Sequence, residues 1–222
     1  MATNSTERIK MLTIMAMLTA LAVVADMFLR VKVPPFLTYE PKDVVITIGA
    51  FIYHPLAGLA ISLVVCLVEM VTISDTGIIG FLMNFLSSAM FVGVASVIYY
   101  RKKTILRAVI GLLSGSAAMI AAMLLWNYIM TPIFMGAPRE AVVQMMVPLL
   151  LPFNAIKAGL NAALVLLLYK PLVTALRKSK LIPVRESHDS GNKRMNTAIV
   201  AFVSALAVAT MILELLIFAK IL

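Results

Sequence analysis

The side chains best placed to do chemistry are three polar residues in an otherwise oily stretch, Leu151-Pro152-Phe153-Asn154-Ala155-Ile156-Lys157-Ala158-Gly159-Leu160-Asn161. On a helix turning about 100° per residue, Asn154, Lys157 and Asn161 stand at i, i+3 and i+7 and share one face. Ala155, Ala158 and Ala162 form a small-residue strip beside it. The amides supply hydrogen-bond donors and acceptors, and the lysine supplies donors only. A lysine inside an apolar segment is costly unless it faces a cavity or a partner, which makes Lys157 a functional-site candidate. The plainer alternative is a lysine snorkelling to the interface beside two amides that glue helices together.

Such a face needs a scaffold, and the composition says which kind. Of 222 residues, 62% are hydrophobic and 13% charged, with a mean hydropathy of +1.03, a balance foreign to a soluble domain of this size. The apolar runs are long and unbroken rather than short and alternating, so the chain reads as an all-α integral membrane protein and not a β-barrel. Seven runs follow a polar start at residues 1–8: about 9–29, 44–53, 56–73, 79–100, 108–134, 148–168 and 197–219. The first is too long for a typical signal-peptide core and is read as a retained helix. Between the first two runs lies a charged, Pro-broken loop from Arg30 to Asp43. The lone Cys66 rules out an internal disulfide.

With the N-terminus placed in the cytoplasm, 13 of the 19 Lys and Arg residues fall on the inner side and five on the outer, leaving Lys157 in the membrane. That asymmetry follows the positive-inside rule and accounts for the net charge of +9 without a nucleic-acid partner. In this orientation Asp26, Glu69, Asn84, Asn127, Asn154 and Lys157 all lie toward the outer ends of their runs. Glu40, Asp43, Asp75 and Glu140 occupy the outer loops. Polar lining at one end only describes an outward-facing pocket rather than a channel.

Several chemistries have no support in the chain. There is no Gly-x-x-x-x-Gly-Lys-Ser/Thr for a phosphate-binding loop, and no Gly-x-Ser-x-Gly or evident nucleophile–base pair. His54 and His188 map to the inner side and read as solvated loop residues, with no metal-ligand spacing around them. No clear internal repeat supports a free-standing secondary transporter. The expectation is therefore a non-enzymatic membrane protein that binds something from outside and carries no engine of its own.

Four stretches resemble a known family. They are Leu37-Thr38-Tyr39-Glu40-Pro41-Lys42-Asp43, Gly49-Ala50-Phe51-Ile52-Tyr53-His54-Pro55-Leu56-Ala57-Gly58, the pair Asn84-Phe85 with Trp126-Asn127-Tyr128, and Pro152-Phe153-Asn154-Ala155-Ile156-Lys157. Together they resemble the substrate-binding S components of energy-coupling factor (ECF) vitamin transporters, riboflavin type, over about residues 9–178. The resemblance implies a six-helix membrane bundle with no cofactor beyond riboflavin as transported substrate. It also implies a transmembrane scaffold subunit and two ATPase subunits as partners, in the plasma membrane of a prokaryote. By the same resemblance, Asn127, Asn154 and Lys157 would contact the flavin ring, and Leu37 and Trp126 would cover its dimethylbenzene part. Tyr39 and Glu40 would meet the ribityl hydroxyls, Asn84 would line the pocket, and Ala16 and Ala20 would face the scaffold as an Ala-x-x-x-Ala strip. The chain departs from the family by appending a seventh transmembrane helix, residues 197–222, after a polar cytoplasmic linker, residues 179–196, to a binding domain of residues 1–178. Three rivals stand beside this expectation: an S component for another vitamin or nucleobase-like compound, an intramembrane enzyme, and a membrane protein with no ligand.

Overall fold

The computed structural model describes residues 5–33, 37–74, 76–136, 138–179 and 181, with six further positions between Ala201 and Ile212. The polar linker, His188 and the appended seventh run therefore lie almost wholly outside the described residues. Within them the chain is predominantly helical. Five stretches are long and apolar enough to cross a membrane: Glu7–Leu29, Pro55–Thr72, Gly77–Tyr100, Ile105–Met135 and Arg139–Lys178.

The first helix, α1 (Ser5–Leu29), turns one stripe to the bundle: Ile14, Leu18, Ala22 and finally Asp26, each four residues apart and each buried. A short hairpin follows, β1 (Val31–Val33) and β2 (Leu37–Tyr39), antiparallel with Val31 opposite Tyr39 and Val33 opposite Leu37. It leads to α2 (Lys42–Ile52), whose 11 residues rise about 16 Å, roughly half the hydrocarbon core, so this helix cannot cross a bilayer alone. It is instead packed almost all round, with Ile46, Ile48, Ala50 and Phe51 in the core. Lys42 and Asp43, which the hydropathy pattern assigns to an exposed outer loop, form its first turn and are fully buried.

A sharp connection, Tyr53-His54, starts α3 (Pro55–Thr72). His54 is not a simple solvated loop residue: its Nδ1 accepts the Ala57 N–H at 3.1 Å, and Pro55 occupies the first turn where a missing N–H costs nothing. Gly58 permits close contact with α2, since a Cβ there would lie 2.5 Å from Ala50 Cβ. Next come α4 (Gly77–Tyr100) and α5 (Ile105–Met135), whose backbones touch. A Cβ on Gly111 or Gly115 would fall 2.6 Å from the Ala95 carbonyl oxygen or 2.5 Å from that of Phe91.

After Gly136, which closes α5 in the left-handed conformation, the chain differs from the sequence expectation. Helix resumes at Arg139 rather than near Pro148. A short α6 (Arg139–Met145) passes through a π-helical turn, Met146–Leu150, into α7 (Leu151–Lys178). Pro148 and Pro152 cannot donate to the preceding turn, and their rings crowd the carbonyl four residues back. A locally widened π turn makes room for them without ending the helix. At the far end, Phe51 stacks on Tyr99 at 4.1 Å, and the Tyr99 and Tyr169 hydroxyls meet at 2.9 Å, closing the bundle opposite Asn84.

Candidate functional site

The hairpin between α1 and α2 brings the site together. Alternation along β2 buries Leu37 and Tyr39 and leaves Thr38 between them partly exposed. Leu37 joins Val33, Leu149, Leu150 and Phe153 in a small apolar cluster that seats the hairpin on the start of α7. The next two side chains reach successive turns of that helix. The Tyr39 hydroxyl donates to Asn161 Oδ1 at 3.0 Å, and Lys157 Nζ donates to Glu40 Oε2 at 3.1 Å. The polar face of α7 is thus real, and two of its three members are engaged by consecutive residues of the loop.

Glu40 is the hub of a buried ionic network. Besides Lys157 it meets Arg30 Nη2 at 2.6 Å and Lys42 Nζ at 3.1 Å. Glu69, at the outer end of α3, takes the same Arg30 Nη2 at 2.6 Å and is paired with Lys42. Asn84 on α4 bridges both acids, donating to Glu69 Oε1 at 2.7 Å and to Glu40 Oε1 at 3.1 Å. One turn further along α4, Ser88 donates to Asp43, the second residue of α2. Lys42 is 0% and Lys157 6% exposed, a burial that ammonium groups tolerate only when paired and hydrogen-bonded. Burial alone would raise the Glu40 carboxyl. The cations around it, Lys157 first and then Lys42 and Arg30, outweigh that effect and hold it well below the usual carboxylate range. Burial also raises the Tyr39 phenol, which keeps it a hydrogen-bond donor to Asn161.

Of the residues singled out from sequence, Tyr39, Glu40, Asn84 and Lys157 are brought into this network or hydrogen-bonded to its α7 face. Leu37 lies in the adjoining apolar cluster. Asn154 is buried on the same helix, with its amide nitrogen given to the Leu150 carbonyl at 2.7 Å. Asn127 is buried on α5 with both ends of its amide used locally, donating to Met123 O and accepting from Thr131. Its neighbour Trp126 faces elsewhere. It lines a crevice of about 260 Å³ between α4 and α5 with Leu86, Met90, Ala122, Leu125, Ile129 and Met130. Ala16 and Ala20 lie on the exposed face of α1, opposite its buried stripe.

Sequence reasoning missed Arg30, Lys42 and Asp43 as site residues, and placed Asp26 and Glu69 at the right end without giving them a role. The available signal was convergence: acids from two runs, and acids and bases from the loop between Arg30 and Asp43, all map to the outer end. The network engages carboxylates with ammonium, guanidinium and amide donors, and what it offers is recognition rather than bond-breaking.

This is a membrane-embedded helical bundle with a polar binding region roofed by a loop at one end. The chain belongs to the family described as "ECF transporter, substrate-specific component", which its residues 10–169 match. It is similar to the riboflavin transporter RibU of Staphylococcus aureus (strain TCH60), with 27% identity over 179 residues, covering 76% of this chain and 93% of that one. It is similar also to the riboflavin transporter FmnP of Bacillus subtilis (strain 168), with 27% identity over 161 residues, covering 68% and 85%. The solved S component of a bacterial ECF transporter superposes with a TM-score of 0.65 at 28% identity, over 77% of this chain and 99% of that one. The protein is accordingly a transporter's substrate-specific subunit and not an enzyme.

Proposed function

We propose that this subunit captures riboflavin from outside the cell in the region beneath the Val31–Tyr39 hairpin. It then delivers the vitamin inward when a membrane scaffold subunit and two ATPases supply the energy. The single observation that carries this reading is the buried Lys157, held at 3.1 Å by Glu40 of the loop that roofs it. An ammonium kept at depth by a carboxylate of the neighbouring loop is a ready donor for the carbonyl and ring-nitrogen acceptors of an isoalloxazine. Asn154 and Asn127 would turn toward the same ring the amides that are now hydrogen-bonded within their own helices, Asn84 fixes the acids, and Tyr39 and Glu40 would meet the ribityl chain. Leu37 offers apolar cover, whereas Trp126 lines the crevice between α4 and α5 instead.

The exposed Ala16 and Ala20 form a small-residue face on α1 that suits close approach by a scaffold helix. The positive-inside asymmetry supports a cytoplasmic N-terminus in a prokaryotic plasma membrane, with residues 179–196 as a cytoplasmic linker to a seventh helix.

A second reading has one observation behind it. The amide of Asn127 is spent within α5, which favours a different heteroaromatic vitamin that needs no contact there. The test is the absorption and fluorescence spectrum of the purified, extensively washed protein, followed by titration with riboflavin. A retained flavin spectrum, or saturable quenching of added riboflavin, is expected. A colourless protein that does not quench riboflavin would falsify the riboflavin reading and leave the second.

A further inference from the structure

The buried network does not balance. It contains four acids, Asp26, Glu40, Asp43 and Glu69, and three bases, Arg30, Lys42 and Lys157. Each base is already paired with Glu40, Glu69 or both. Asp26 is 1% exposed, and neither of its carboxylate oxygens has a hydrogen-bond partner among the described residues. An oxygen of its carboxylate lies within 4.8 Å of oxygens of Glu40 and Glu69, so it opens onto the network rather than away from it. Asp43 Oδ2 is likewise buried and unpartnered. Buried acceptors left without donors are costly, and Asp26 is the one acid of the network with both oxygens unmet, although Arg30 Nε and Asn161 Nδ2 are also buried without partners among the described residues.

We infer that Asp26 is a further specificity-determining residue: it accepts a hydrogen bond from a hydroxyl of the substrate and sets a preference for a neutral, hydroxylated ligand over its phosphate ester. A neutral O–H donor satisfies Asp26 without adding charge. A phosphate brings negative charge to a place where four acids already face three bases, each of them paired with Glu40, Glu69 or both. The inference rests on the riboflavin reading, in which the ribityl chain supplies the hydroxyls, and it separates riboflavin from flavin mononucleotide.

The experiment uses the full chain in nanodiscs, freed of flavin, and measures fluorescence quenching with three probes. Riboflavin carries the hydroxylated chain, lumiflavin has the same ring with a methyl in its place, and flavin mononucleotide is the phosphate ester. Wild type is expected to favour riboflavin over both. In Asp26→Ala the ratio of riboflavin to lumiflavin affinity is expected to fall about tenfold, the loss of one hydrogen bond to a charged acceptor. Asp26→Asn keeps an acceptor but not the charge. It should retain more riboflavin affinity than Asp26→Ala while narrowing the gap between riboflavin and flavin mononucleotide.

Lumiflavin binding reports that each variant still has its pocket. Unchanged ratios in both variants, equal losses for riboflavin and lumiflavin, or wild-type affinity for the phosphate ester equal to that for riboflavin would each overturn the inference. A wild-type protein that binds none of the three refutes the riboflavin reading itself, and this inference with it.

Discussion

Replacing Lys157 with methionine removes the charge while keeping most of the stem, and the structure sets what this should cost. Lys157 Nζ sits 3.1 Å from Glu40 Oε2, with side-chain exposures of 7% and 3%. At an effective dielectric of about 20, Coulomb attraction at that distance is roughly 5 kcal/mol, most of it offset by desolvation of the two ions. Breaking a buried pair generally costs about 3–5 kcal/mol, because the surviving charge is left alone. Here the survivor is not alone: Glu40 keeps Arg30 and Lys42. The expected loss of stability is therefore nearer 2 kcal/mol, or roughly 4–8 °C in Tm for a chain of this length.

Ligand affinity should suffer more. A hydrogen bond from a charged donor contributes about 1.5–3 kcal/mol, which is roughly 10- to 150-fold in Kd. Riboflavin quenching titrations on Lys157→Met, read beside its melting curve, separate the two effects. A Glu40→Gln variant and the double variant then give the coupling between the partners. A Kd within about threefold of wild type in a folded Lys157→Met protein would refute the placement of the ligand at this lysine.

Two further predictions bear on the fold. Glu40 has its folded pKa depressed, so between that value and the ordinary carboxylate range the folded state binds fewer protons than the unfolded chain. Its stabilising contribution is complete above the ordinary value of about 4.3 and is lost as pH falls through the folded one. The gap in Tm between wild type and Glu40→Gln should therefore shrink on acidification from about pH 6 to about pH 3, whereas parallel melting curves would contradict the pairing. At the α4–α5 contact, Gly115→Ala drives a Cβ to 2.5 Å from the Phe91 carbonyl oxygen and should destabilise by roughly 1–3 kcal/mol. Gly93→Ala, on α4 with Leu59 Cδ2 no nearer than 3.6 Å, should be neutral or gain about 0.5–1 kcal/mol. If both alanines melt alike, the close approach is not what those glycines are for.

What the sequence could reveal of the site depended on how far apart the interacting residues lie. The face of α7 was legible because Asn154, Lys157 and Asn161 are local, and helical spacing alone aligns them. The partners of that face were not legible. Tyr39 and Glu40 meet Asn161 and Lys157 across 122 and 117 positions, and no periodicity connects them. Lys42 shows the physical reason most clearly. Weighed singly it is a polar residue after a proline, and hydropathy puts it in water. Its burial becomes tolerable only once Glu69, 27 residues on, and Glu40 are both against it. The π turn at Met146–Leu150 was hidden for a related reason: prolines at 148 and 152 read locally as a helix start, while the continuous helix is held by what packs on either side of them. Both errors fall at the hairpin and the helix it clasps, where local preference yields to long-range pairing. A site that must hold bases and acids at depth and still release a ligand is where that conflict is expected.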